Sequence, residues 1–143
     1  MLGSVLEPIL ASGSPVKCED AGKELAKASF LILDSVLSRA RYTMKRDKKV
    51  TVEYLRRIQQ CEDFDIDLYK KLIGSYELLL RRADRNRLLL FDILKELEYL
   101  HSKYPCDEIE DVLFFGFRSL AHIDIMISLH KEQLSFYRKI ETL

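Results

Sequence analysis

Apolar side chains recur at alternating steps of three and four along two segments of the chain, residues 66–101 and 107–142, each 36 residues long. Such steps, sustained over five heptads, predict long helices with coiled-coil-like packing. In the first segment only Arg87 and the terminal His101 depart from apolar character. The heptad positions are Ile66, Tyr69, Ile73, Tyr76, Leu80, Ala83, Arg87, Leu90, Leu94, Leu97 and His101, and then Ile109, Leu113, Gly116, Leu120, Ile123, Ile127, His130, Leu134 and Tyr137.

The two segments are joined by five residues that include Pro105. A connection this short predicts that the two helices form an antiparallel hairpin. The numbers of facing residues then sum to about 208, because paired antiparallel helices run in opposite directions. This register places Glu77 near His130 and Asp92 near Arg118.

Upstream of the hairpin, two apolar stripes predict a first helix over about 18–46. The cationic residues at 45–49 suit the negative end of a helix dipole, and Thr51 can cap a second helix. The second helix is then expected over about 51–101, with two alternatives. An unbroken helix favours an elongated dimer, which we prefer, whereas a bend near 62–67 would let the chain close as a compact monomeric bundle.

The predicted fold class is all-α: an elongated antiparallel three-helix bundle or coiled coil with a long helical hairpin (about 51–101 and 107–142). We expect the helical bundle domain over 16–143 and an N-terminal segment and linker over 1–15. Apolar residues at helical spacing between Leu2 and Leu10 favour a short amphipathic segment that docks on the bundle.

Composition places the chain in the class of ordinary soluble domains. It has 143 residues, of which 48% are hydrophobic and 32% charged, and no apolar run approaches the roughly 18 residues that span a bilayer. Three cysteines without paired spacing predict reduced thiols in an intracellular protein. No catalytic residues, cofactor or metal site are predicted. The D-x-D-x-D run at 63–67 opens like a calcium loop but lacks the Gly and Glu that such a loop requires.

Arg118 and His122 resemble the Arg/His pairing of helical ribonucleases of the HEPN group. Three residues separate them, where that group has four to six, but the i, i+4 relation still puts both on one helix face. This resemblance implies RNA cleavage that disappears in His122→Ala. The alternative is a pair of structural residues at a surface or interface.

Charge is segregated along the chain although 23 basic and 23 acidic residues cancel. Eight basic residues between 39 and 57 are opposed by only two acidic ones, and arginines at 81–87 form a second cluster. Such segregation indicates a specific anionic contact surface, with a solvated face of internal ion pairs as the alternative. The residues expected at this surface are Arg39, Arg41, Lys45, Arg46, Lys48, Lys49, Arg56, Arg57, Arg81, Arg82 and Arg85.

Two stretches resemble BAR domains, the crescent-shaped dimers that bind and bend membranes. Residues 85–92 (RNRLLLFD) are similar to the part of the family's second helix in which basic residues precede an aromatic-Asp pair. Residues 120–134 (LAHIDIMISLHKEQL) are similar to the last helix, in which an apolar stretch runs into an aromatic or His residue and a basic one. The resemblance implies three long helices, a dimer and contact with anionic lipid. The chain is too short for the family's long arm tips, so it implies a shortened version.

The predicted function is a non-enzymatic helical scaffold that forms a homodimer and binds anionic membrane surfaces in a BAR-like manner. Its expected location is cytoplasmic or peripheral to a membrane. The alternative is a protein interaction module, a subunit of a larger assembly, whose open heptad faces receive a partner helix. A HEPN-like ribonuclease is the third hypothesis, and nucleic acid is otherwise not an expected partner.

Overall fold

The computed structural model describes residues 18–143, which form three α-helices packed against one another. Helix α1 spans Cys18–Gln60, α2 spans Ile66–Lys103 and α3 spans Asp107–Glu141. The predicted all-α bundle is confirmed, as is the hairpin of two long helices on either side of Pro105. The predicted N-terminal segment at 1–15 lies outside the described residues.

Helix α1 is longer than the sequence analysis predicts, because it continues through the expected break at 47–50. Thr51 is therefore not an N-cap, and its hydroxyl instead donates to the carbonyl oxygen of Asp47 one turn earlier, at 3.1 Å. Asp47 and Thr51 are both buried, on the same row as the apolar residues of the helix. That row follows steps of four and three through Leu33, Leu37, Ala40, Met44, Asp47, Thr51, Tyr54 and Ile58.

The chain turns between α1 and α2, at residues 61–65. The carboxylate of Asp65 accepts a hydrogen bond from the backbone N–H of Leu68 at 3.1 Å and so caps α2. The preferred prediction of an unbroken helix over 51–101 is therefore wrong, and the alternative of a bend near 62–67 is right. The acidic run at 63–67 is the exposed turn and the first residues of α2.

The antiparallel register of α2 and α3 agrees with the prediction. The ring of Tyr69 lies 6.2 Å from that of Tyr137, and the ring of Tyr76 lies 6.4 Å from that of His130. The expected polar pairs are nevertheless wrong. Glu77 accepts a hydrogen bond from Arg138 at 2.9 Å, about two helical turns further along α3 than a pairing with His130 would require. The predicted Asp92–Arg118 pair forms no ion pair in the described chain, and both side chains are exposed.

The described residues divide into two compact units. The first unit contains the described residues up to Ser38 together with Arg87–His122. Its core is mainly aliphatic, with Ser29 and Ser119 as its buried polar residues. It holds eight of the ten largest fully buried side chains of the described chain: Leu25, Leu33, Leu37, Leu90, Ile93, Leu94, Leu97 and Ile109. Such a core is stabilised by apolar burial and close packing.

The second unit, Arg39–Asn86 with Ile123–Leu143, has a different core. Leu72 and Leu79 are its fully buried large aliphatic residues, and polar groups are buried beside them. The buried polar and aromatic residues of this unit are Asp47, Thr51, Tyr69, Tyr76 and His130. Asp47, Thr51 and the tyrosine hydroxyls find partners on neighbouring helices or within their own helix, whereas both ring nitrogens of His130 lack one among the described residues.

Helix α3 carries an 18-residue stretch with a mean hydropathy of 1.6, which is long and apolar enough to cross a membrane by length and composition. The sequence analysis expected no apolar run of roughly 18 residues; this stretch reaches the hydropathy of a membrane span although charged residues such as Arg118 and Asp124 interrupt its apolar residues. The apolar residues occupy the buried row of α3 and also exposed positions such as Ile125 and Leu129. Only 33% of the stretch is buried. A bundle helix with additional exposed apolar residues has this composition, so a membrane span does not follow from it.

Two helical glycines provide a test of packing in the described structure. A Cβ at Gly116 would overlap Cδ2 of Leu94 and lie 3.0 Å from Cδ2 of Leu33, and both leucines are fully buried. We expect Gly116→Ala to lower the free energy of unfolding by about 1–2 kcal/mol, since overpacking outweighs the gain in helix propensity. Gly74 faces open space, so Gly74→Ala should stabilise by up to about 1 kcal/mol. Urea unfolding monitored by circular dichroism measures both, and equal effects would contradict the packing argument.

Candidate functional site

All eleven basic residues predicted to contact an anionic surface lie in the second unit. They do not form one continuous set there. One group lines the outer side of α1, a second surrounds the buried Asp47, and Arg81 faces a groove between α2 and α3. Arg39, Arg41 and Arg85 are exposed.

The outer side of α1 carries the most regular basic pattern. Positions 42, 45, 49, 52 and 56 follow steps of three and four, so they lie on one side of the helix, opposite its buried row. We call this set, Tyr42, Lys45, Lys49, Val52 and Arg56, the α1 basic face; every member is exposed. With Lys48 and Glu53, its members from Lys45 onward line a shallow hollow of about 440 Å³.

Salt bridges occupy only the C-terminal part of this face. Glu53 accepts from Arg56 at 3.2 Å and lies 3.9 Å from Arg57, so one carboxylate serves both arginines. Exposed pairs of this kind contribute at most about 1 kcal/mol and exchange readily with other anions. Lys45 and Lys49 form no ion pair in the part of the chain that the structure describes, and their charges face solvent.

The second group of basic residues is internal to the fold. Nη1 of Arg82 donates to Oδ1 of Asp47 at 2.7 Å, and Nε of Arg46 lies 3.6 Å from the same oxygen. The Asp47 side chain is only 7% exposed, so its carboxylate depends on these cations for compensation. Arg82 therefore stabilises the α1–α2 contact, and Arg46 adds positive charge beside the same carboxylate from within α1. Their predicted part in an anionic contact surface stays a prediction.

A hydroxyl pair supports the same contact between α1 and α2. Oγ1 of Thr51 and Oγ of Ser75 are 2.6 Å apart, one turn of α1 beyond Asp47. Beside them a hollow of about 370 Å³ is lined by residues that include Gly74 and Lys71. Oδ2 of Asp47 has no hydrogen-bond partner among the described residues.

His130 lies in the core of the second unit between aromatic residues. Its imidazole is 6% exposed and faces Tyr76, whose hydroxyl donates to Oε1 of Gln133 at 3.4 Å. Burial lowers the pKa of His130; the nearby Gln133 amide opposes this shift and the charge of Lys48 adds to it. Neither ring nitrogen reaches hydrogen-bonding geometry with a described residue, so we take burial as the dominant influence. The same burial raises the pKa of Tyr76 to about 12.

Arg118 and His122 both lie on the exposed side of α3, within the first unit. Three residues separate them, fewer than the four to six of the ribonuclease group, and their i, i+4 relation puts both on one side of the helix. Neither forms an ion pair with a described carboxylate. The ribonuclease hypothesis stays a prediction.

The sequence analysis missed the buried Asp47 and the basic residues of α3 that stand opposite Arg81. The sequence did contain a signal for the burial of Asp47, because Asp47 and Thr51 fall on heptad positions that continue the apolar row of α1. For the second, Lys131, Arg138 and Lys139 are spaced by seven and eight residues along one helix, so they share a face. Only the folded structure shows that Arg81 of α2 lies beside them.

The Asp47–Arg82 pair provides a stability test. Arg82→Gln leaves a buried carboxylate without its closest cation, so we expect the free energy of unfolding to fall by about 1–3 kcal/mol, less than for a fully buried pair because Arg82 is 37% exposed. Arg85→Gln, at an exposed site on the same helix, should change it by less than about 0.5 kcal/mol. Denaturant unfolding distinguishes the two, and equal small effects would show that the pair contributes nothing.

His130 provides a pH test. In the unfolded chain the imidazole titrates near its ordinary pKa of 6.5, and in the folded chain its pKa is lower. As the pH falls below 6.5 the unfolded state binds the proton first, so the free energy of unfolding declines and levels off below the lowered folded pKa. In His130→Leu the part of the decline that begins as the pH falls towards 6.5 and ends below the lowered folded pKa should vanish, while it persists in the exposed-site control His122→Gln. An identical pH dependence in wild type and His130→Leu would refute the assignment.

Comparison of the chain with models of known protein families, with curated proteins and with solved structures gave no match. The resemblance to BAR domains therefore stays a prediction. Function has to be inferred from the geometry of the described residues, and the second unit offers the most distinctive arrangement of charge.

Proposed function

We propose that this chain is a non-enzymatic helical scaffold that binds anionic membrane surfaces, with the α1 basic face as the contact. The observation that carries the proposal is the heptad spacing of exposed cations on the side of α1 opposite its buried row. A helix that packs through one side and presents cations on the other can lie against a flat anionic surface without disturbing the core.

Two residues of the α1 basic face are suited to the headgroup region. Tyr42 is 66% exposed and Val52 is 43% exposed, and both stand among the lysines. A tyrosine ring combines an apolar body with a polar tip, and this combination is favoured at membrane–water interfaces. The mixture of cations and partly apolar side chains supports shallow contact with lipid rather than simple solvation of a charged helix.

The strength of such contact follows from the number of available cations. Arg46 and Arg82 are engaged with Asp47, so they are not counted among the available cations. Each remaining basic residue near an anionic surface contributes roughly 1 kcal/mol. The cations on this side of the helix are Arg41, Lys45, Lys48, Lys49 and Arg56. Binding is then moderate and weakens as salt screens the charges.

Self-association is part of the proposed scaffold. Two or more weak contacts of this kind bind a membrane far more tightly when they are linked in one assembly, because the second contact forms at high effective concentration. A homodimer would double the number of α1 basic faces. The BAR-like resemblance and the cytoplasmic or peripheral location belong to this same proposal.

A protein interaction module is the second candidate, favoured by a different observation. In the second unit Ile125, Leu129 and Phe136 are 60%, 51% and 60% exposed, at spacings of four and seven along α3. Exposed apolar residues at this spacing are typical of a helix face that receives a partner helix. A second copy of the chain or another protein could cover this apolar face.

Co-sedimentation with vesicles tests the proposed function. The wild-type protein should pellet with phosphatidylserine-containing vesicles, less at high salt, and remain in solution with neutral phosphatidylcholine vesicles. Lys45→Glu/Lys49→Glu should weaken binding more than about 30-fold, given roughly 1 kcal/mol lost per cation before any new repulsion. The matched control is Lys23→Glu/Lys27→Glu, which makes the same charge change at the same spacing on exposed positions of α1 in the first unit.

Two outcomes would contradict this proposal. Indifference of the wild-type protein to vesicle charge would remove the membrane function, and equal loss in both double variants would reduce it to nonspecific charge attraction. Light scattering on the same samples gives the mass in solution. A monomer that ignores vesicles would turn attention to a partner helix on α3.

A further inference from the structure

A second basic site lies between α2 and α3, on residues that the proposed membrane contact does not use. It is a groove of about 720 Å³ in the second unit. Its lining combines four cations and one carboxylate with two hydroxyl groups and two aliphatic side chains. The lining residues are Glu77, Leu80, Arg81, Lys131, Leu134, Ser135, Arg138, Lys139 and Thr142.

The carboxylate in this groove is already engaged. Nη2 of Arg138 donates to Oε1 of Glu77 at 2.9 Å, and this bond joins the two helices across one side of the groove. Three further cations, Arg81, Lys131 and Lys139, form no ion pair within the described residues. Like charges held around one groove repel each other, so the free protein has a site of positive potential that an anion would relieve.

Helix-end electrostatics accounts for only part of this cluster. Arg138 and Lys139 lie in the last turn of α3, where cations favour the negative end of the helix dipole. Arg81 lies in the middle of α2, and Lys131 lies more than two turns before the end of α3. Their position beside the terminal cations therefore needs another explanation, and ligand binding provides one.

The hydroxyl groups and the buried leucines of the groove indicate which kind of ligand it can bind. Thr142 donates to the carbonyl oxygen of Lys139 at 2.9 Å, so its proton is used within the helix end. Ser135 forms no hydrogen bond with a described residue, so its hydroxyl can donate to a ligand oxygen. Leu80 and Leu134 are buried at the floor, where they offer an apolar surface to the carbon skeleton of a ligand.

We propose that this groove binds a compact polyphosphate, a ligand with two or more phosphate groups on a ring-sized carbon skeleton. The excess of positive charge calls for several negative charges close together. Guanidinium and ammonium groups with a hydroxyl donor are the groups that bind phosphate oxygens. The volume lies within the range of small-molecule sites, about 300–1,000 Å³. Both a soluble inositol polyphosphate and the headgroup of a polyphosphorylated lipid have this chemistry.

The inference does not depend on the proposed function, because the α1 basic face and the groove share no residue. Calorimetric titration with inositol hexakisphosphate tests it directly. We expect saturable binding by the wild-type protein and at least a tenfold loss in Arg81→Gln/Lys131→Gln. The charge-matched control, Lys45→Gln/Lys49→Gln, should bind as the wild type does. Arg81→Lys, which keeps the charge, should retain most of the affinity.

An experiment with vesicles distinguishes a lipid headgroup from a soluble polyphosphate as the ligand. Vesicles that carry a bisphosphorylated inositol lipid are compared with phosphatidylserine vesicles of equal total charge. If the ligand is a lipid headgroup, the wild-type protein prefers the former, and Arg81→Gln/Lys131→Gln loses only that preference. If the ligand is soluble, the calorimetric result stands without any vesicle preference. Both outcomes support polyphosphate binding in the groove.

Two results would overturn the proposal. Absence of calorimetric binding by the wild-type protein is the first. The second is an equal loss of affinity in the groove variant and in the α1 control, which would mean that total charge and not the groove determines binding. Because Arg81 and Lys131 are exposed, thermal unfolding should show that all variants are folded. If only the α1 variant loses binding to phosphatidylserine vesicles, that result bears on the proposed membrane function and not on the groove.

Discussion

The buried carboxylate of Asp47 determines how charge is distributed over the second unit. A carboxylate removed from water is costly unless a cation compensates it, and Arg82 supplies that compensation from the neighbouring helix. This requirement aligns α1 with α2 at one place, and the hydroxyl pair of Thr51 and Ser75 supports the alignment one turn further on. The remaining cations of α1 are then left on the opposite side of the helix, where they can meet an external anion.

The contrast between the two units follows from the same principle. Aliphatic packing in the first unit is nondirectional, so it leaves surface charge free to vary. In the second unit the core itself contains an ion pair, hydroxyls, tyrosines and a histidine. The Asp47–Arg82 and Thr51–Ser75 contacts favour one orientation of α1 against α2, because hydrogen bonds are directional. The two basic surfaces proposed to bind anions both belong to this second unit, and the exposed Arg138–Glu77 bond joins α2 and α3 beside the groove.

Much of the hairpin could be predicted from the sequence. Heptad spacing identified the rows of α2 and α3 that are buried, and the short connection around Pro105 set their antiparallel register, which the Tyr69–Tyr137 and Tyr76–His130 contacts confirm. The prediction failed at α1 because a basic stretch followed by threonine has the same local pattern as a helix end and a new N-cap. Local signals do not distinguish a buried polar residue on a continuing helix from a break in the helix.

The sequence by itself determined the helical class, the rows of α2 and α3 that face the core, and the concentration of cations between residues 39 and 87. Each of these follows from short-range periodicity or composition, which the chain carries without reference to its fold. Tertiary structure alone decided which of these cations pair with a carboxylate of the protein and which face a groove or solvent. Arg81 and Arg82 are neighbours in sequence, yet one faces a groove shared with α3 and the other binds Asp47 of α1. Adjacent positions on a helix point about 100° apart, so their roles depend on the helices that pack on either side.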